Sequence, residues 1–349
     1  MTNKPQFVGE KIAFSDAFVE VSRGVKKIKQ KDYLPAGDHP IIDQGQDAVS
    51  GYACGEEGLF SDVPAIVFGD HTRCVKYVSE PFFAGADGVK ILRPKQSDNV
   101  RFWWHALRTT RIENLGYSRH FKLLKESRFA NYDEQNQRVI CENLDRIMDE
   151  IDRANRQLAA LDSLVKSRFV EMFGDPVSNP KKLRTRPGSA LFKIGNGKTK
   201  PMSERRETGY PAYGGNGVSW YSQQSLTYSP TIIIGRVGRH CGNTRLVNKP
   251  CWITDNAMYI KQFRDNELNL IYLDELMQIV DFNRYADKGD LWKITQQPFM
   301  EFNYPLPPLP LQQEFADFVA QVDKSRFIAQ QQIEKLQMLY DSLAQEYFE

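Results

Sequence analysis

Two stretches of the chain carry apolar residues every seven positions, which restricts them to long helices packed on a partner. Between about 134 and 173, Leu144, Ile151, Leu158 and Val165 recur at that spacing, with Ile147, Ala154 and Leu161 between them. This is an a/d stripe, with charge on the other faces. No Gly or Pro interrupts it until the stop signal Gly174-Asp175-Pro176. Between about 312 and 348, Val322, Ala329, Leu336 and Leu343 recur in the same way, joined by Ile333, Tyr340 and Tyr347. Pro305, Pro307, Pro308 and Pro310 precede this stretch and are expected to lie outside its helix.

The segments before the helices, 1–133 and 179–310, are rich in Gly, Pro, aromatic residues and short β-branched runs. Ala65-Ile66-Val67-Phe68 and Thr231-Ile232-Ile233-Ile234 read as strands between turns. The order globular, helix, globular, helix predicts a duplication, and the residues supply one. Val49-Ser50-Gly51-Tyr52 followed by Pro64-Ala65-Ile66-Val67-Phe68-Gly69 matches Val218-Ser219-Trp220-Tyr221 followed by Pro230-Thr231-Ile232-Ile233-Ile234-Gly235. Asp87 matches Asp255, residues 116–129 align without gaps on 286–299, and Asp145 and Asp162-Ser163-Leu164 match Asp323 and Asp341-Ser342-Leu343. The repeat unit, about 170–180 residues, is far longer than a solenoid repeat.

Charge is segregated along this order. Lys plus Arg number 46 and Asp plus Glu 44, a net of +2. By segment the net charges are +2 for 1–133, −3 for 134–178, +7 for 179–310 and −4 for 311–349. Positive globular parts suit a polyanion, and acidic amphipathic helices suit each other and other proteins. With 41% apolar and 26% charged residues the composition is that of a globular protein. Every longer apolar stretch falls short of a membrane span, and MTNKPQFVGEKIAF lacks the apolar core of a secretory signal. The five cysteines, Cys54, Cys74, Cys141, Cys241 and Cys251, form no CxxC pair. Neither a disulfide framework nor a zinc site is expected, and a reducing cytoplasm fits.

Three glycine-rich loops stand out in 179–310. Gly195-Asn196-Gly197-Lys198-Thr199 has Phe192 where a phosphate-binding loop needs glycine, so it reads as a turn presenting Lys198 and Lys200. Tyr213-Gly214-Gly215-Asn216-Gly217 is not GxGxxG and reads as a turn or a close backbone approach. Gly235-Arg236-Val237-Gly238-Arg239-His240-Cys241-Gly242 directly follows a strand and places Arg236, Arg239 and His240 on a rim, where Arg can grip phosphate or guanine. Its counterpart in the first half is Gly69-Asp70-His71-Thr72-Arg73. Signatures of catalysis are missing. There is no Glu-x-Lys, no Asn-Pro-Pro-aromatic motif, no GxSxG, and no metal-ligand spacing among the five histidines. No catalytic or metal-binding residue is expected.

The run Pro305-Leu306-Pro307-Pro308-Leu309-Pro310-Leu311-Gln312-Gln313-Glu314, opening a heptad helix, resembles the start of a helical region in specificity (S) subunits of type I restriction-modification systems, the HsdS family. Tyr210-Pro211, Gly214-Gly215-Asn216-Gly217, Gly235-Arg236-Val237-Gly238 and Asp255-Asn256-Ala257 are similar to a target recognition domain of that family. With the repeat, the resemblance covers essentially the whole chain. The first helix start, Ser127-Arg128-Phe129-Ala130-Asn131-Tyr132-Asp133-Glu134-Gln135, keeps Glu-Gln and lacks the prolines.

The resemblance implies an α+β chain with two similar α/β target recognition domains, 1–133 and 179–310. Two long helices, 134–178 and 311–349, would form an antiparallel coiled coil with a pseudo-twofold repeat. Each domain would read one half of a split site in double-stranded DNA, and the helices would space the readers. It also implies two methyltransferase subunits that use S-adenosylmethionine, a motor-nuclease subunit, and no catalysis, cofactor or metal in this chain. Candidate DNA contacts in the second reader are Lys198, Lys200, Arg205, Arg206, Arg236, Arg239, His240 and Arg245, with Asn216 and Gln223 suited to adenine edges. In the first they are Gln44, Gln46, His71, Arg73, Lys76, Arg119 and His120. A self-contained endonuclease or DNA modifier is disfavoured by the missing motifs. A scaffold that binds no DNA is disfavoured by the charge segregation and the basic loops.

Overall fold

The computed structural model describes residues 5, 7, 9–85, 88–96, 98–116, 118–264 and 268–349; Asp87, matched above with Asp255, lies outside them. The chain divides into two compact units: Met1–Asn155 with Gln331–Glu349, and Arg156–Gln330. Each unit takes one sheet-rich segment and one half of each long helix. The helical halves are packed into the units as core, not attached as separate bodies.

In the first unit, strands β1 (Phe18–Glu20), β2 (His39–Ile42), β3 (Gly51–Ala53), β4 (Ala65–Gly69), β5 (Val75–Val78), β6 (Phe83–Ala84) and β7 (Val89–Pro94) form two sheets. One is antiparallel in the order β1-β7-β4-β5. The other, β3-β2-β6, pairs β2 antiparallel with β3 and parallel with β6. The β-branched and aromatic run of β4 is buried along its whole length, as a central strand with both faces covered requires. Helix α1 (Val100–Thr109) follows, its amino end capped by Asn99 Oδ1, which accepts from the Phe102 amide at 3.1 Å. Phe102 and Trp103 are fully buried among Phe18, Phe121, Phe129 and Tyr132. Helix α2 (Glu134–Phe173) adds Ile140, Leu144 and Ile147 to this cluster, and the last turns of the chain add Tyr340, Ala344 and Tyr347.

The second unit repeats this plan. Strands β8 (Phe192–Asn196), β9 (Tyr210–Gly214), β10 (Gly217–Ser222), β11 (Thr231–Gly235), β12 (Thr244–Val247), β13 (Trp252–Ile253) and β14 (Ala257–Phe263) form the sheets β8-β14-β11-β12 and β10-β9-β13. The first is again antiparallel, and β9 again pairs antiparallel with one neighbour and parallel with the other. Buried β11 corresponds to β4, and helix α3 (Leu270–Val280) corresponds to α1. Asn269 caps α3 as Asn99 caps α1, accepting from the Ile271 and Tyr272 amides. Phe169 and Phe173 of α2 pack with Tyr272 and with Phe315 of helix α4 (Leu309–Phe348). Within this unit α2 and α4 run antiparallel: Arg168 meets Glu314 at 3.1 Å and Asp162 meets Arg326 at 2.7 Å.

The structure amends three details of the sequence reading. Pro310 is the second residue of α4, where its missing N–H has no intrahelical acceptor to lose. The ungapped match of 116–129 with 286–299 slips by four. The His120 amide donates to Asp70 O, and the amide of Ile294, not residue 290, makes the same bond to Arg236 O. Asp145 and Asp323, matched in sequence, make different contacts. Asp145 binds Arg101 and His105 of α1, whereas Asp323 binds Arg326 of its own helix. The helix starts do correspond. Buried Gln137 donates to Tyr132 O and buried Gln312 to Pro307 O, each at 2.8 Å.

Candidate nucleic-acid interface

In the second unit, the loop after β11 is held open and basic. Gly238 N donates to Trp292 O and Ile294 N to Arg236 O, so the backbone is fixed while the Arg236, Arg239 and His240 side chains stay exposed. Asn283 Nδ2 holds the loop from below through Arg239 O and Cys241 O. The turn 214–217 lies against this loop. A Cβ on Gly215 would sit in ordinary contact, 3.4 Å from Gly235 Cα, so the glycine leaves room at this crossing. A small cavity of about 80 Å³ remains there, lined in part by Tyr213, Asn216, Asn243 and Arg245. Asn216 and Arg245 are exposed, and burial, with the Cys251 thiol nearby, pushes the Tyr213 phenol up.

A separate turn, 198–206, carries four of the predicted cations, and the structure assigns them different work. Lys198 is exposed; its backbone bonds Ile253 O and accepts from Trp252 Nε1. Lys200 is buried. Its Nζ lies 2.8 Å from Glu204 Oε2, 3.3 Å from Gln224 Oε1 and 4.4 Å from the centre of the Trp252 ring. It ties the turn to the small sheet. Arg205 is exposed over Trp220 at 5.3 Å, and exposed Arg206 exchanges backbone hydrogen bonds with Tyr221. Gln223 is exposed beside them.

In the first unit, the equivalent crossing is closed by side chains. Gln44 fills the space beside Gly69 that Gly215 leaves open beside Gly235, and its Oε1 accepts from the His71 amide at 3.2 Å. Thr72 Oγ1 donates to Gln44 O, and His71 Nδ1 meets Ser118 O at 3.2 Å. Arg73, in the left-handed region at φ 62°, donates to Ile112 O. Lys76 is half-buried, donating to Asp47 O at 2.6 Å and facing Asp43 at 3.7 Å; burial lowers its pKa against the pull of these carboxylates. His120 is fully buried. Its Nε2 accepts from the Leu115 amide at 3.2 Å, so its other nitrogen carries the proton and donates to Asp70 O. Asp70, the counterpart of exposed Arg236, is buried and accepts from the Phe121 amide. Gln46 and Arg119 remain exposed.

The predicted residues therefore fall into two kinds. Gln46, Arg119, Lys198, Arg205, Arg206, Asn216, Gln223, Arg236, Arg239, His240 and Arg245 present polar groups to solvent. Lys200, His120, Gln44, His71, Arg73 and Lys76 are tied into the loops by hydrogen bonds. Sequence reasoning passed over the first unit's counterpart of the basic turn, Lys29-Gln30-Lys31. Its lysine density was the available signal. Among the described residues no cluster of side chains is suited to hold a metal, and no helix is long and apolar enough to cross a membrane.

Comparison with known proteins accords with this architecture. Residues 181–338 match the family model of the type I restriction modification DNA specificity domain. Over 88 residues the chain is 27% identical to the type I restriction enzyme EcoprrI specificity subunit of Escherichia coli. That match spans 25% of this chain and 21% of that relative. The crystal structure of the type I restriction-modification S subunit from M. genitalium has the same fold. It is similar over 100% of this chain and 98% of that one, with a TM-score of 0.55 at 16% identity. The HsdS subunit from Thermoanaerobacter tengcongensis is 15% identical, covering 83% of this chain and 81% of that one, with a TM-score of 0.36. Residues 181–338 thus match the type I specificity domain, and the chain along its length has the fold of a type I S subunit.

Proposed function

We propose that this chain is the DNA-recognition subunit of a type I restriction-modification complex and performs no catalysis itself. The observation that carries this reading is the duplication of one sheet topology with different side chains on equivalent loops. Arg236 stands exposed where Asp70 is buried, and Gly215 lies where Gln44 fills the crossing. One scaffold used twice with two surfaces suits a bipartite DNA site read in two halves. The exposed cations supply phosphate contacts, and the amides and guanidinium groups suit base edges. The long helices set the spacing of the half-sites and carry the docking surface for two methyltransferase subunits. Those partners bind S-adenosylmethionine and methylate adenine, and a motor-nuclease subunit joins for cleavage.

The test is to co-express the chain with the methyltransferase encoded beside it and map adenine methylation across the host DNA. A split motif with a gap of fixed length is the expected result. A stable complex that methylates nothing would overturn the reading. Arg236→Ala is expected to lower methylation while leaving assembly intact, and unchanged methylation would remove Arg236 from the interface.

A further inference from the structure

Each unit carries a short 3-10 turn at the same place in its fold. In the first it is Gln30–Asp32 and in the second Met202–Glu204. The equivalence rests on matching hydrogen bonds. Before the turn, Ile28 N donates to Ala84 O, and Lys198 N to Ile253 O. Within it, Asp32 N and Glu204 N reach back to Lys29 O and Pro201 O. After it, Leu34 exchanges two backbone bonds with Tyr52, and Arg206 does the same with Tyr221. The residue at the tip differs: Gln30 in one unit and Met202 in the other. Both are exposed, and Met202 is 80% exposed.

Several features make the second tip a prepared contact. The turn is braced by the buried Lys200, held by Glu204, Gln224 and the Trp252 ring. Its flanks carry exposed Lys198, Arg205 and Arg206, so it is drawn toward phosphate. A thioether at the centre of such a cationic rim has no donor for phosphate and is only a weak acceptor toward the polar edges of bases, so its main complement is apolar. The one apolar group a base edge offers in the major groove is the thymine C5-methyl.

We infer that the tip of this turn is a specificity-determining position in both units, and that Met202 reads a thymine methyl in the half-site of the second. The inference rests on the DNA-recognition reading above. The carboxamide of Gln30 at the equivalent tip suits adenine N6 and N7.

The experiment uses the full chain assembled with its methyltransferase subunits and duplexes carrying the mapped bipartite site. Each thymine is replaced in turn by deoxyuridine, which removes only the methyl. One replacement is expected to weaken binding about four-fold, the worth of one buried methylene-sized group. Met202→Ala is expected to bind the thymine duplex correspondingly less well and to lose that sensitivity, while Met202→Leu keeps it. Wild-type indifference to every replacement, with tight binding retained, would overturn the role of Met202 and leave the DNA reading standing. So would a sensitivity that persists unchanged in Met202→Ala. Failure of the assembled complex to bind any duplex would overturn the DNA reading and this inference with it.

Discussion

His105 Nε2 on α1 lies 2.9 Å from Asp145 Oδ1 on α2, while its Nδ1 meets the Tyr340 hydroxyl of α4 at 2.8 Å. One buried imidazole thus joins the sheet-bearing part of the first unit to both of its helices. The position corresponding to His105 on α3 is Glu275, which feels the charges of Asp274, Arg326, Asp323 and Asp162. The two units share a fold, with a base bonded to both helices at this position in one and an acid in the other.

This difference predicts opposite responses to acid. Burial lowers the His105 pKa against the pull of Asp145, with Arg101 and Arg108 adding to the lowering. The unfolded chain takes up a proton near pH 6.5 that the folded unit refuses, so this group costs the first unit stability as pH falls below that value. Glu275 is pushed up to about 7, by burial first and then by Asp274, with Asp323 and Asp162 adding and Arg326 opposing. The folded second unit holds its proton where the unfolded chain has lost it. Stability from this group is full below about pH 4.5 and falls as pH rises toward 7. Glu275→Gln is expected to raise the unfolding temperature at pH 8 and to change it little at pH 4.5. His105→Phe is expected to flatten the acid side of the first unit's profile. Hydrogen exchange resolved by unit across pH 4.5–8 checks both.

Lys200 and its neighbours separate bracing from binding. Lys198→Ala and Arg205→Ala are each expected to reduce the slope of log affinity against log salt by about 0.9, the value of one lost phosphate contact. Lys200→Met is expected to leave that slope unchanged while lowering affinity, because the turn loses its anchor to Glu204 and Trp252. A salt titration of all three variants distinguishes them. A reduced slope in Lys200→Met would place its charge at the DNA.

Gln137 and Gln312 secure the two helix starts from buried positions. Gln312 Nε2 donates to Pro307 O and its Oε1 accepts from the Asn269 amide, joining α4 to the cap of α3. Gln312→Ala strands both groups and is expected to cost about 1–3 kcal/mol, read by denaturant unfolding. Gln137→Ala acts in the same direction through Tyr132 O.

Gly197 fixes the base of the basic turn. Its amide donates to Ala257 O, and a Cβ there would stand 1.9 Å from Thr254 O. Gly197→Ala is expected to displace that backbone and destabilise the second unit by about 1–3 kcal/mol, as overpacking does. Unchanged unfolding of Gly197→Ala would contradict the close approach.

The helices, the strands Ala65–Gly69 and Thr231–Gly235, and the fact of duplication were legible in the sequence. Each follows from a local rule: the heptad spacing, the β-branched runs and the collinear motifs act over neighbouring residues. The rim loops were legible as glycine-flanked cations. What only the tertiary structure decided is where those cations go. Lys200 and Lys198 lie two residues apart with the same charge, yet one is buried against Trp252 and the other exposed. Their fates depend on β13, some fifty residues onward, which no local pattern reports. The slip that sets Ile294 rather than residue 290 opposite Arg236 has the same origin. Loop lengths between packed elements drift freely, and hydrogen bonds made across the fold restore the correspondence. The division into two units is also tertiary: each long helix is one continuous local structure, but its halves are buried in different cores.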